Sequence, residues 1–113
     1  MTKISAGRKL KEMLRKDGIV VAPGAYDALT AKLIEISGFS CAYMTGYGVS
    51  ASVLGKPDIG LITMTEMVNQ LRNMAGAVDI PVVGDGDNGY GGLLNVFRTV
   101  EEDSKAGAAG SQL

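Results

Sequence analysis

The 113-residue chain contains no histidine, no tryptophan and a single cysteine, Cys41. Without histidine, acid–base chemistry would fall to carboxylates, tyrosines, lysines or Cys41, and a histidine-ligated zinc site is excluded. One cysteine can form neither an intrachain disulfide nor a cysteine metal cluster, and we expect Cys41 to be a buried structural thiol. Any functional site must therefore be built from the remaining polar side chains and the backbone.

Long hydrophobic runs are also absent. No apolar stretch is long enough to span a bilayer, and the first residues lack the apolar core of a signal peptide, so we expect a cytoplasmic protein without a membrane partner. Six of the eleven basic residues lie within the first sixteen positions. Glu12 interrupts them and no aromatic residue is interleaved for base stacking, which favours a solvated helix face over a nucleic-acid arm.

Short apolar runs alternate with amphipathic segments along the chain. We predict strands at Gly18–Asp27, Ser40–Gly48 and Asp79–Asp87, with the approach to a fourth at Gly107–Ala109. The predicted helices are Ser5–Lys16, Ala28–Ser37, Thr63–Ala77 and Asn95–Ala106, and Val49–Ile62 is predicted to be a loop. This order predicts an α/β fold with a parallel sheet in at most one domain.

Two of these helices carry predictions about the core. In the helix Ala28–Ser37, begun by Asp27 and ended by Gly38, we expect the large apolar side chains to face inward, namely Leu29, Leu33 and Ile36. In the helix Thr63–Ala77, the helical spacing predicts a buried stripe of Met64, Met67, Leu71, Met74 and Val78.

The ends of the three predicted strands are rich in glycine, and the third also carries two carboxylates, Asp85 and Asp87. Its glycines match a dinucleotide-binding pattern at Gly84, Gly86 and Gly89. That interpretation fails because the pattern follows the third strand and the two acids would repel a pyrophosphate. A calcium-binding EF-hand loop fails as well, since Tyr90 stands where glycine is needed and Val96 where glutamate is needed.

The two acids instead suggest a cation site. Side chains two residues apart on an extended segment point the same way, so we expect Asp85 and Asp87 to project together from the strand end. Two such carboxylates repel each other unless a cation or a proton lies between them, and Mg²⁺ is the natural occupant, with Mn²⁺ second. The alternative is that both acids cap the following turn.

Two long segments, 22–68 and 81–92, resemble the isocitrate lyase / phosphoenolpyruvate mutase superfamily, and in particular its branch of small lyases. The first reads APGAYDALTAKLIEISGFSCAYMTGYGVSASVLGKPDIGLITMTEMV and the second reads PVVGDGDNGYGG. The resemblance runs from about residue 18 to 110. It implies a (β/α)8 barrel, a Mg²⁺ ion and a small 2-hydroxy or 2-oxo acid held at the strand ends.

The resemblance also implies roles for individual residues. Asp85 and Asp87 correspond to the metal-binding segment, and Asp85 would lie against the substrate too. Tyr43 and Asp58 correspond to catalytic residues facing the substrate and the water shell of the metal. From the residues alone, Tyr43 could equally be core and Asp58 an ordinary turn carboxylate.

A third group would bind the substrate carboxylate. It consists of Thr45, Gly46 and Tyr47, whose backbone N–H groups and hydroxyl would grip the carboxylate oxygens as an oxyanion-type cradle. The structural alternative is that Thr45 and Gly46 simply turn the chain from strand to helix.

The implied activity is a Mg²⁺-dependent carbon–carbon lyase acting on a 2-hydroxy di- or tricarboxylate, of the 2,3-dimethylmalate or 2-methylisocitrate type, and releasing pyruvate. The alternatives are a phosphonomutase-type isomerase and a non-catalytic Mg²⁺-binding α/β module. The resemblance also implies that the full-length protein is a homo-oligomer, and a tetramer is expected.

The length of the chain limits these expectations. A complete barrel needs about 200 residues or more, so residues 1–113 are expected to form an incomplete barrel domain, the N-terminal portion with a leading helix and about three βα units. Ser111 also stands where the superfamily has an aliphatic residue. Unpaired sheet edges predict low stability, a tendency to associate and little activity in isolation.

Overall fold

The computed structural model describes residues 4–113, which form four parallel strands connected by helices. The strands are β1 (Gly24–Ala25), β2 (Ala42–Met44), β3 (Val82–Asp85) and β4 (Gly110–Gln112). The α-helices are α1 (Ala6–Leu14), α2 (Ala28–Ile36), α3 (Gly46–Val49), α4 (Met64–Ala77) and α5 (Leu93–Ala106). A five-residue π-helix, Ser50–Leu54, continues directly from α3.

The strands lie side by side in chain order, β1-β2-β3-β4, and every neighbouring pair is parallel. Tyr43 pairs with Val83, which pairs with Gly110, and Asp85 pairs with Gln112. This arrangement confirms the predicted α/β fold with a parallel sheet, and its strand order is the one expected of the N-terminal portion of a (β/α)8 barrel. The carboxyl ends of β1 to β4 therefore meet at one edge of the sheet.

Local sequence signals explain where the main helices begin and end. Asp27 caps α2 by accepting the Thr30 N–H at 2.7 Å, and Thr63 caps α4 in a reciprocal pair with Glu66. Such capping satisfies backbone donors that the helix itself leaves unused. Gly38 follows α2 with a left-handed φ of 94°, the conformation that favours glycine at a helix end.

Helix α4 supplies the centre of the hydrophobic core. Its stripe of large side chains lies almost entirely out of solvent, with Met67, Leu71, Met74 and Val78 all buried and Met64 packed against them. The helical periodicity predicted this face correctly, because α4 lies between α2 and α5 and packs on β3. None of the helices among residues 4–113 is long and apolar enough to cross a membrane.

The predicted inner face of α2 is wrong. Leu29, Leu33 and Ile36 are 67%, 53% and 72% exposed, whereas Ala31 and Ile34 are buried. The helix packs closely against α4 and the short strand β1. Because the small Ala31 allows that close approach, the larger leucines face outward.

Two further predictions need correction. The run predicted as a buried strand contributes only two residues to β1, and Ile19 and Val21 within it are 90% and 53% exposed. Among residues 4–113, strand β1 lies at an edge of the sheet and pairs with β2 alone, so little of the run is covered. The predicted loop Val49–Ile62 begins instead as helix, which continues to Leu54 and ends at Gly55 with a φ of 61°.

Helix α5 also presents a large apolar surface. Leu93, Leu94 and Phe97 are between 68% and 80% exposed, and α5 precedes β4, the other edge strand. Exposed apolar patches of this kind are typical of surfaces that associate with other protein. The expected tendency to associate remains a prediction.

The orientation of α2 can be tested with two isoleucines of the same helix. Replacing the buried Ile34 with alanine should lower the free energy of unfolding by about 2 kcal/mol or more, because it leaves a cavity. Replacing the exposed Ile36 with alanine should change it by less than about 0.5 kcal/mol. Urea unfolding followed by circular dichroism measures both, and equal losses would contradict the observed face.

Candidate functional site

The side chain of Asp85, at the carboxyl end of β3, is held by two backbone N–H groups. Gly46 donates to Oδ2 at 2.9 Å and Asp87 donates to Oδ1 at 2.9 Å. An ionised carboxylate offers about four lone-pair positions, so about two remain for other partners. The strand end therefore fixes a carboxylate in one orientation while leaving it able to bind a cation.

Gly46 must be glycine for this arrangement. A Cβ atom added there would overlap Oδ2 of Asp85 and lie 3.1 Å from its Cγ. The buried backbone of Gly46 thus approaches Asp85 more closely than any other residue type allows. The contact links the ends of β2 and β3, which is where the sequence predicted the site.

Asp87 reaches the site by a different route from the predicted one. Strand β3 ends at Asp85, and Asp87 is exposed with a left-handed φ of 50°, so the alternation of an extended strand does not apply to it. The N–H of Asp87 donates to Oδ1 of Asp85. Asp85 therefore caps the following turn, which was the alternative to a cation site. The turn therefore brings the backbone of Asp87 to the Asp85 carboxylate, and the joint projection of the two side chains stays a prediction.

Tyr43, on β2, points into the same region as Asp85. Its hydroxyl donates to Oε1 of Gln112 at 2.8 Å. Partial burial raises the pKa of Tyr43, and the negative charges of Asp85 and, more weakly, Asp58 raise it further. The exposed loop carboxylate Asp58 therefore acts on Tyr43 electrostatically, and its place in the water shell of the metal stays a prediction.

The segment after β2 begins a short helix. Thr45 caps α3 by accepting the Gly48 N–H at 3.1 Å, which is the turn-forming role given as the structural alternative. The N–H of Gly46 is used by Asp85, whereas Tyr47 supplies a first-turn N–H that the helix itself does not use. The Tyr47 side chain is 69% exposed. The predicted cradle for a substrate carboxylate thus rests mainly on Tyr47 and the Thr45 hydroxyl.

Three residues near this edge were not assigned a role from sequence. Gln112 is the partner of Tyr43, and only the pairing of β4 with β3 reveals its position. Asp103 is buried on α5 and accepts the Ser111 hydroxyl at 2.7 Å. Burial raises the pKa of Asp103, the Ser111 hydrogen bond opposes that change, and the charge of Asp85 adds to it.

Tyr90 is the third residue. Its backbone is left-handed, with a φ of 60°, and its hydroxyl is buried without a hydrogen-bond partner among residues 4–113. Burial raises the pKa of Tyr90 most, and four carboxylates raise it further, those of Asp87, Asp85, Asp103 and Asp58. The four charges that raise the pKa of Tyr90 are all negative, so several carboxylates lie near this hydroxyl.

These residues fit a Mg²⁺ site in which the protein supplies only one or two of the ligands. Within the described part of the chain, no group of three or more histidine, cysteine or acidic side chains converges as a metal site. Mg²⁺ commonly binds one or two carboxylates and completes its octahedron with water and ligand oxygens. Asp85, with its free lone pairs and negative surroundings, is suited to that role, and Asp87 lies beside it.

Comparison with known proteins identifies relatives across nearly the whole chain. A family model described as phosphoenolpyruvate phosphomutase matches residues 10–113. The chain is 52% identical over 110 residues to 2,3-dimethylmalate lyase of Eubacterium barkeri, covering 97% of this chain and 38% of that protein. It is 46% identical over 103 residues to the chloroplastic carboxyvinyl-carboxyphosphonate phosphorylmutase of Arabidopsis thaliana, covering 90% and 30%.

A solved structure gives the same result for the fold. Phosphonopyruvate hydrolase in complex with oxalate and Mg²⁺ superposes with a TM-score of 0.90 at 30% identity, covering 96% of this chain and 38% of that one. The chain therefore spans between 30% and 38% of the length of these three proteins.

Proposed function

Because the chain belongs to the phosphoenolpyruvate phosphomutase family, which groups with isocitrate lyase, we propose that it forms the metal-binding part of a Mg²⁺-dependent carbon–carbon lyase. The substrate would be a 2-hydroxy di- or tricarboxylate of the 2,3-dimethylmalate or 2-methylisocitrate type, cleaved to release pyruvate. The 52% identity to a 2,3-dimethylmalate lyase supports the lyase in preference to other activities.

The observation that carries the proposal is the clamped carboxylate of Asp85. Two backbone N–H groups fix both of its oxygens, and Asp87, Asp103 and Asp58 act together with Asp85 on the nearby Tyr90 hydroxyl. A fixed carboxylate with free lone pairs and other carboxylates nearby favours binding of a divalent cation. A Mg²⁺ ion bound there would polarise the α-oxygen and one carboxylate of the substrate.

The remaining residues would orient the acid. The Tyr47 N–H and the Thr45 hydroxyl lie at the start of α3 and can donate to a substrate carboxylate. The Tyr43 hydroxyl donates to Gln112 and lies within the electrostatic reach of Asp85 and of the loop carboxylate Asp58. In this proposal Tyr43 contacts the reacting part of the substrate, and Asp58 acts through water.

A chimaera tests the proposal directly. The 110 aligned residues of 2,3-dimethylmalate lyase are replaced by those of this chain, so that the remaining part of the relative completes the protein. With Mg²⁺, the chimaera should release pyruvate from 2,3-dimethylmalate or 2-methylisocitrate. A folded chimaera that acts on neither acid would contradict the proposed lyase.

A phosphonomutase-type isomerase is the second candidate. It is favoured by the 46% identity to a phosphorylmutase and by the family description itself. The same carboxylate and N–H donors would hold a phosphonate-bearing oxo acid equally well, so this part of the site does not separate the two reactions. Assaying the chimaera with phosphonopyruvate in parallel distinguishes them.

A further inference from the structure

The contact between Tyr43 and Gln112 adds β4 to the candidate site. The two residues lie 69 positions apart, and the Tyr43 hydroxyl donates to Oε1 of Gln112 at 2.8 Å. Gln112 pairs with Asp85 in the sheet, and Tyr43 pairs with Val83, two residues before Asp85 on β3. Paired residues share a sheet face and strand residues alternate, so Tyr43, Asp85 and Gln112 all project from the same face.

The hydrogen bond has a definite chemical consequence. A phenol has one proton, and donating it to Gln112 fixes the direction of the hydroxyl and leaves its lone pairs open. Asp85 lies close enough to act on the same hydroxyl, so Gln112 competes with a charged acceptor for that proton. The carboxamide of Gln112 retains two N–H donors, and a bound acid has oxygen atoms that accept such bonds.

A purely structural role explains this contact poorly. Gln112 is exposed and lies near the end of an edge strand. Hydrogen bonds contribute only modestly to stability because water competes for the same groups. The side chain of Gln112 therefore adds little to folding, whereas its hydrogen bond to Tyr43, formed on the face of the sheet from which Asp85 projects, matters for anything bound there.

We infer that Gln112 is a positioning residue, which holds the Tyr43 hydroxyl beside Asp85 and offers its amide N–H groups to the oxyacid. The inference rests on the proposed function, because it deepens the description of the same site. It assigns a role to a residue that acts on the substrate partly through Tyr43 and partly by direct hydrogen bonding.

Three variants separate the two parts of this role. Gln112→Leu removes both the acceptor and the donors, whereas Gln112→Glu keeps an acceptor for Tyr43 but has no N–H groups. Gln70→Leu, at the only other glutamine of the chain, is the matched control on α4.

The first readout is the NMR signal of the Tyr43 ring carbon that bears the hydroxyl. The protein is labelled with ¹³C-tyrosine, and the Tyr43→Phe variant assigns the signal. Gln112→Leu should shift this signal, Gln112→Glu should keep the phenol donating, and Gln70→Leu should leave it unchanged. An unchanged Tyr43 signal in Gln112→Leu would overturn the positioning role.

The second readout is the affinity for oxalate in the presence of Mg²⁺, measured by calorimetry. Both Gln112 variants should bind oxalate about tenfold more weakly, since each loses the amide donors. Unchanged affinity in both would overturn the donor role. If the unmodified chain binds no oxalate, the proposed function fails for this chain, while the Tyr43 signal still decides the positioning role.

Discussion

Replacing Asp85 with asparagine should reduce turnover by the chimaera by more than about a hundredfold. Loss of even an outer-sphere partner of a metal costs about 10- to 100-fold in affinity or activity, and Asp85 is the proposed direct ligand. The two donors to Asp85 are the N–H groups of Gly46 and Asp87. Asparagine keeps one oxygen to accept from one of them but turns an NH₂ group towards the other. The variant therefore loses both its charge and half of the clamp.

The control for this variant is Asp17→Asn, which removes one negative charge from an exposed position between α1 and β1. Initial rates of pyruvate release, measured over a range of Mg²⁺ concentrations, compare the two proteins. Full activity of a folded Asp85→Asn chimaera would show that the clamped carboxylate has no part in the reaction.

Replacing Gly46 with alanine should be nearly as damaging, although it removes no functional atom. The added Cβ would overlap Oδ2 of Asp85, so the carboxylate must move. The hydrogen bond from the Gly46 N–H to Asp85 is then lost. Displacement of a reacting group by about 1 Å can cost about a hundredfold in rate, and we expect a loss of that order. Overpacking of the buried position should also lower stability by about 1–3 kcal/mol.

Gly76→Ala provides the matched control for Gly46→Ala. Gly76 is an exposed residue of α4, and no atom lies within 4 Å of a Cβ added there. Alanine is a better helix former than glycine by about 1 kcal/mol, so this control should gain stability and keep activity. Equal activity of the two variants would contradict the close contact between Gly46 and Asp85.

The sequence predicted the fold class because the fold class depends on local signals. Alternating apolar and amphipathic segments indicated strands and helices, and Asp27 and the α4 methionine stripe act as expected. The glycine-rich strand ends directed attention to Gly46 and Asp85, and the family resemblance directed it to Tyr43. In the structure Gly46 donates to Asp85, and the charge of Asp85 acts on Tyr43. Parallel strand ends meet at one edge, so this grouping followed from the fold class.

What could not be predicted depends on packing and on backbone conformation beyond the strands. The inner face of α2 is set by how closely α2 approaches α4, which the helical period does not specify, so the small Ala31 is buried rather than Leu33. Asp87 leaves the strand with a positive φ, which breaks the alternation on which its side-chain direction was argued. Gln112 gains its place only through the pairing of β4 with β3.

The central claim, that the Asp85 carboxylate binds a divalent cation, is tested most directly by titrating the purified chain with Mg²⁺ in a calorimeter. The unmodified chain should take up one ion, Asp17→Asn should match it, and Asp85→Asn should show no saturable uptake. Equal uptake by the unmodified chain and Asp85→Asn, or no uptake by either, would contradict the claim.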